Sequence, residues 1–174
     1  MINLGLIGCG KWAKNYVKNI NVLKNYTQIT RLCSRTVESY NSLSEKPHNE
    51  HKWSADANDI FNDKEISAVI IASPPGTHFE LVKSALEAGK NVLCEKPFTL
   101  DSGNAQFLSR LAKEKGLSLV IDYIHLWNSF YQKIKSGRQA SEIQNINFIV
   151  NAPNEGREHH SVLYDWMSDR KSVV

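Results

Sequence analysis

Apolar and polar positions along this chain fall into short blocks that predict alternating strands and helices. Ile2–Gly8 (INLGLIG) is an apolar run that passes straight into glycine and reads as a first strand. Within Lys11–Leu23, Trp12, Tyr16, Ile20 and Leu23 recur near one face of a helix. Ile29–Ser34 reads as a second strand, and the polar stretch Ser44–His51 as a loop. Asp59, Ile60 and Phe61 belong to a short helix before Ile66–Ser73, a strand apolar on both faces, as a central parallel strand requires. Pro74, Pro75 and Gly76 make the next turn, and Thr77 with Glu80 fits a capping box at a helix start. Leu81, Ala85, Leu86 and Ala88 continue that helix, and Gly89 ends it. Asn91–Cys94 is another strand. Asp101 is the N-cap of a helix running through Lys115 and closed by Gly116, and Leu117–Asp122 is a further strand.

This alternation predicts an α/β fold, a Rossmann-type doubly wound parallel sheet with helices on both faces. Right-handed crossovers align the carboxyl ends of the strands along one edge, where ligands of such sheets bind. The pattern changes after Asp122. Ser129–Gly137 reads as a short helix, and Ile143–Asn151 alternates as an antiparallel strand half open to solvent. Such a strand offers an edge on which two copies of the chain would pair as a homodimer.

Composition narrows the classes. With 174 residues, 41% hydrophobic and 22% charged, the chain suits one domain, or one domain plus a fragment. The net charge of +3 is spread along the sequence without a dense basic block, so no nucleic-acid partner is expected. Cys9, Cys33 and Cys94 form no C-x-x-C pair and lie in or beside apolar runs, which predicts reduced, buried thiols in a cytoplasmic protein. The start lacks a basic region ahead of its apolar run, so no signal peptide is expected. No apolar run approaches the length of a membrane span. No metal site is expected, and His159 with His160 reads as a polar loop pair.

Candidate chemistry begins in the first turn. Gly8, Gly10 and Ala13 fit G-x-G-x-x-G/A between a strand and a helix. Gly8 allows the tight turn, Gly10 lets backbone approach a pyrophosphate, and Ala13 lets the helix sit close to the sheet. The helix N-terminus, with Lys11 and Trp12 beside it, offers N–H groups to phosphates. At the end of the second strand stand Ser34 and Arg35, not the acidic residue that favours NAD. A hydroxyl and a guanidinium suit the 2′-phosphate of NADP, the alternative being a solvated arginine after a strand. The apolar run Asn91–Cys94 ends in Glu95 and Lys96 locked against Pro97, an unusual charge pair for a strand end unless it is a surface turn.

With the glycine turn, Ser73–His78 (SPPGTH) and Cys94–Pro97 (CEKP) in that order, the chain resembles the Gfo/Idh/MocA oxidoreductases from Met1 to about Asp122. The resemblance implies an NAD(P)-binding Rossmann domain over 1–122. It also implies that 123–174 is a shortened remnant of a substrate and oligomerisation domain. It associates Glu95 with the nicotinamide ribose and Lys96 with the substrate hydroxyl, and implies a cis bond before Pro97. It places Ser73, Pro74, Pro75 and His78 in the cofactor-side loop, although a histidine in a first helical turn is otherwise an exposed residue. Asp165 matches the first position of the family's D-x-x-x-H segment, but Asp169 stands where the histidine belongs. Hydride transfer between NADP or NAD and a sugar, polyol or sugar-nucleotide is the implied activity. The contrasting reading is a non-catalytic dinucleotide-binding or interaction protein derived from that family.

Overall fold

A computed structural model describes residues 1–129 together with 132, 133 and 136. Six strands form one sheet: β1 (Ile2–Ile7), β2 (Thr27–Cys33), β3 (Lys52–Ser54), β4 (Ala68–Ile71), β5 (Asn91–Cys94) and β6 (Leu119–Ile121). Their spatial order is β3-β2-β1-β4-β5-β6, and every pairing is parallel. The helices are α1 (Ala13–Val22), α2 (Val37–Asn41), α3 (Asn58–Phe61), α4 (His78–Glu87) and α5 (Ser102–Glu114). The strand order reverses between β1 and β4, so a crevice opens at their carboxyl ends, the usual ligand position in doubly wound sheets.

Period-two alternation divides the core between the two faces of the sheet. Leu4, Leu6 and Ile70 point to one side, where Ala13, Tyr16 and Val17 of α1 cover them. Ile7, Val69 and Ile71 point to the other, against Ile60, Val82, Leu86 and Leu108 from α3, α4 and α5. Gly5 sits opposite α3, and a Cβ there would stand 2.4 Å from the Ile60 side chain, so the close packing of that helix depends on the missing methyl.

Several local expectations shift. The buried stripe of α1 is Ala13, Tyr16 and Val17, spaced i, i+3, i+4, whereas Trp12 and Leu23 are each 47% exposed. The small Ala13 lies flush on the sheet and sets that rotation. The expected capping box is absent. A 3-10 turn, Pro75–Thr77, precedes α4 and puts Thr77 in helical backbone, so its hydroxyl donates back to Pro74 O (2.7 Å). Asp101 does cap α5, accepting from Asn104 N–H at 2.9 Å. The short, polar β3 was not visible as a strand. It is held by pairing to β2, with Trp53 opposite Leu32.

The chain divides into two compact units, Met1–Asp122 and Tyr123–Val174. The described part of the second holds a 3-10 turn, Ile124–Trp127, in which Leu126 N–H donates to Tyr123 O at 2.9 Å. Most of the predicted Ser129–Gly137 helix, all of the Ile143–Asn151 strand, and His159, His160, Asp165 and Asp169 lie outside the described residues. Among the described residues no helix is long and apolar enough to cross a membrane, and no group of three His, Cys, Asp or Glu side chains is placed to hold a metal ion. All three cysteines are buried free thiols. Burial pushes Cys33 up to about 11 and also raises Cys9 and Cys94, so none is poised as a thiolate.

Candidate active site

Parallel register places five residues in one row. Ile7 pairs with Cys33 and Ile71, Ile71 with Cys94, and Cys94 with Ile121. The residue after each is therefore at the same level: Gly8, Ser34, Ala72, Glu95 and Asp122. Backbone hydrogen bonds carry the ladder one step into this row. Gly8 N–H donates to Cys33 O (2.8 Å), Ala72 N–H to Ile7 O (2.8 Å), Glu95 N–H to Ile71 O (2.9 Å) and Asp122 N–H to Cys94 O (2.9 Å).

The glycine turn has the geometry its residues require. Gly8 adopts φ +100°, and a Cβ would lie 2.5 Å from Ala72 O, so both conformation and close approach of β4 demand glycine. At Gly10 a Cβ would meet nothing within 4 Å, which leaves open space beside exposed backbone. No side chain caps the N-terminus of α1 at Trp12. Lys11 and Trp12 are exposed and Ala13 is fully buried. An anionic pyrophosphate fits this turn, because open space and helix-end N–H groups occur together.

At the end of β2, Ser34 is buried and already engaged. Its hydroxyl donates to Thr36 O (2.8 Å) and accepts from Trp53 Nε1–H (2.9 Å). Arg35 beside it is exposed. Trp53, to which the sequence reading assigned no role, thus fixes the turn from which Arg35 projects.

The β4 and β5 turns are tied together by His78. Its ring is fully buried, which rules out the alternative of an ordinary exposed histidine in a first helical turn. Nδ1 lies 2.8 Å from Pro97 O and Nε2 2.9 Å from Ser73 O, so one ring bridges the Ser73–Pro75 turn and the Glu95–Pro97 turn. The Ser73 and Thr77 hydroxyls stand 2.7 Å apart at the exposed rim. The Lys96–Pro97 bond is cis, as the resemblance implied. Lys96 is partly buried, and its N–H donates to Glu95 Oε2 at 3.0 Å.

Glu95 belongs to a cluster that the sequence alone did not disclose. The Tyr16 hydroxyl lies 2.8 Å from Glu95 Oε1 and 2.5 Å from Asp122 Oδ2. Burial raises the Glu95 carboxyl above its ordinary range. The Tyr16 hydroxyl opposes the rise, the Asp122 charge adds to it, and the Lys96 N–H and ammonium oppose it. Burial likewise raises the Tyr16 phenol, reinforced by both acidic neighbours. The available signal was that a buried tyrosine needs a partner, and that two strands in succession end in an acid.

A cavity of about 280 Å³ lies elsewhere, lined by Thr30, Arg31, Glu50, His51, Lys52 and Asp63. None of the five aligned residues lines it, and Arg31 and Asp63 of its wall form an ion pair (3.0 Å).

Comparison with known proteins decides the family. The profile described as an oxidoreductase family with an NAD-binding Rossmann fold matches residues 2–123. The chain belongs to the Gfo/Idh/MocA family. Among family relatives, an uncharacterised oxidoreductase of Schizosaccharomyces pombe is 36% identical over 102 residues, covering 59% of this chain and 28% of the relative. The scyllo-inositol 2-dehydrogenase (NADP(+)) IolW of Bacillus subtilis is 34% identical over 89 residues, covering 51% and 25%. The structure of Lactobacillus casei scyllo-inositol dehydrogenase with bound NAD(H) and scyllo-inositol superposes with a TM-score of 0.67. It is 25% identical, covering 79% of this chain and 42% of that one. Over the matched regions, the chain spans roughly a quarter to two-fifths of the length of these relatives. Family membership and the six-stranded parallel sheet agree with the Gfo/Idh/MocA resemblance in the motifs.

Proposed function

We propose that this Gfo/Idh/MocA chain binds a nicotinamide dinucleotide and serves hydride transfer to or from a hydroxyl-bearing carbon of a sugar, polyol or sugar-nucleotide. The observation that carries the reading is the aligned row at the carboxyl ends of β1, β4 and β5, with an open glycine turn at one end and Glu95-Lys96 at the other. Relatives named for scyllo-inositol oxidation with NADP or NAD support the substrate class.

The backbone at Gly8 and Gly10 and the N-terminus of α1, flanked by Lys11, Trp12 and Ala13, hold the pyrophosphate. Arg35 meets the adenosine ribose and favours NADP, while Ser34 shapes its turn. Ser73, Pro74 and Pro75 form the wall on the β4 side. His78, with both ring nitrogens facing backbone carbonyls, sets the spacing of that wall from Pro97 and acts without touching the cofactor. The nicotinamide supplies the hydride acceptor or donor. Glu95 retains lone pairs for the nicotinamide ribose. The Lys96 ammonium stabilises the alkoxide that develops as the hydroxyl loses its proton. The assisting role that the family resemblance implies for Asp165 falls outside the described residues.

Tryptophan fluorescence during titration with NADPH and then NADH tests this reading, because exposed Trp12 borders the turn. Saturable binding, tighter for NADPH, is the expected result. The absence of saturation with either would overturn it. With cofactor bound, Lys96→Ala is expected to retain binding and lose polyol oxidation.

A further inference from the structure

One hydroxyl proton stands between two carboxyls at the β5–β6 end of the row. Tyr16 reaches from α1, Glu95 from the end of β5 and Asp122 from the end of β6. A phenol donates a single hydrogen bond. If both carboxyls were ionised, one contact would press lone pairs together across a proton-free gap. The 2.5 Å separation to Asp122 is the length of an O–H donating to a carboxylate, and 2.8 Å to Glu95 is that of an ordinary hydroxyl bond. Assigned by these lengths, the phenol keeps its proton and donates its one hydrogen bond to Asp122, which leaves a protonated Glu95 Oε1 to donate into the phenolic oxygen.

We propose that Tyr16 is a positioning residue which, bridging Asp122 and a protonated Glu95, keeps one extra proton at the cofactor end of the sheet and holds the Glu95–Lys96 turn. The positioning role rests on the function proposed above, whereas the proton count does not. Glu95 spans the bridge and the turn: its Oε1 meets Tyr16, and its Oε2 accepts from Lys96 N–H. The peptide that carries Lys96 is thus fixed by the same carboxyl that holds the proton.

The direction of the Glu95 shift agrees with this arrangement. Burial raises it, and the Asp122 charge adds to the rise. The ionisable groups that interact with Glu95 are Tyr16 from α1, Asp122 beyond β6, and Lys96 and Cys94 on its own strand and turn.

The test is a carboxyl carbon-13 NMR titration of the full chain without cofactor, so its outcome is independent of dinucleotide binding. The expected result is a Glu95 carboxyl that stays protonated above the ordinary glutamate range of about 4.3. The Lys96 amide shift should follow the same midpoint. Asp122→Asn should lower that midpoint, and in a Tyr16→Phe background the Asp122→Asn shift should shrink, with the backbone spectrum otherwise unchanged. A Glu95 midpoint in the ordinary range, a Lys96 amide that ignores it, or an Asp122→Asn shift equally large without the phenol would overturn the proposal.

Discussion

The two ends of the strands solve opposite electrostatic problems. At the amino end, Lys90 buries its ammonium between Asp63 O (2.6 Å) and Ile66 O (2.8 Å), and Asp63 pairs with Arg31 at 3.0 Å. Burial opposes ionisation of Asp63, but the Arg31 hydrogen bond and charge, the Glu65 N–H and Lys90 outweigh it and hold the carboxyl low. Burial lowers Lys90, and Asp63 pulls it back. Each of these charges has a partner of opposite sign or a carbonyl. At the carboxyl end, two acids crowd one phenol, and Glu95 is pushed up. Charge pairing at one end suits a closed structural joint, and two acids sharing one phenol at the other suit a place where protons move. Under the proposed function, the same sheet separates stability from chemistry by strand direction.

Substitutions sharpen that contrast. The largest effect is expected from Gly8→Ala, which forces a side chain to φ +100° with its Cβ 2.5 Å from Ala72 O. Urea unfolding should show a loss of roughly 3 kcal/mol or more, and dinucleotide binding should disappear with it. Lys90→Ala strips the donor from two carbonyls at the opposite end. It should cost about 2 kcal/mol and leave dinucleotide affinity unchanged, which separates the ends by function.

The pH dependence of stability should carry opposite signs at the two ends. Asp63 is depressed in the folded chain, so its contribution is full above the unfolded value of about 3.9 and fades as pH falls through the folded one. Asp63→Asn should remove on the order of 1 kcal/mol at neutral pH and flatten the acid limb. Glu95 is raised, so its contribution is full below about 4.3 and fades as pH rises through the folded value. Glu95→Gln should flatten the profile on that side instead. The smallest effect on folding, within about 0.5 kcal/mol, is expected for exposed Arg35→Ala. Fluorescence titration should show weaker NADPH binding by about tenfold, with NADH unaffected.

Much of the architecture was legible because it rests on local rules. Asn91–Cys94 is a strand with the bounds its apolar run gave, and Asp101 and Gly116 bracket α5 as a cap and a positive-φ stop should. Gly8 was legible because only glycine serves a turn that also touches β4. The strand β3 was not legible, since a three-residue polar edge strand has no period of its own and exists by pairing with β2. The capping box failed because two prolines tighten the entry to α4 and redirect Thr77. His78 and the Tyr16 cluster were hidden for a shared reason. Apart from Ser73, five residues from His78, their partners are 19, 79 and 106 residues away, and the alignment of strand ends brings them together.

The most direct measurement of the central claim is an amide chemical-shift map of the full chain as NADPH is added. The account predicts saturable movement at Gly8, Gly10, Arg35, Ser73 and Glu95, with Arg31, Asp63 and Lys90 unmoved. Movement centred on the amino end, or none at the glycine turn, would contradict it.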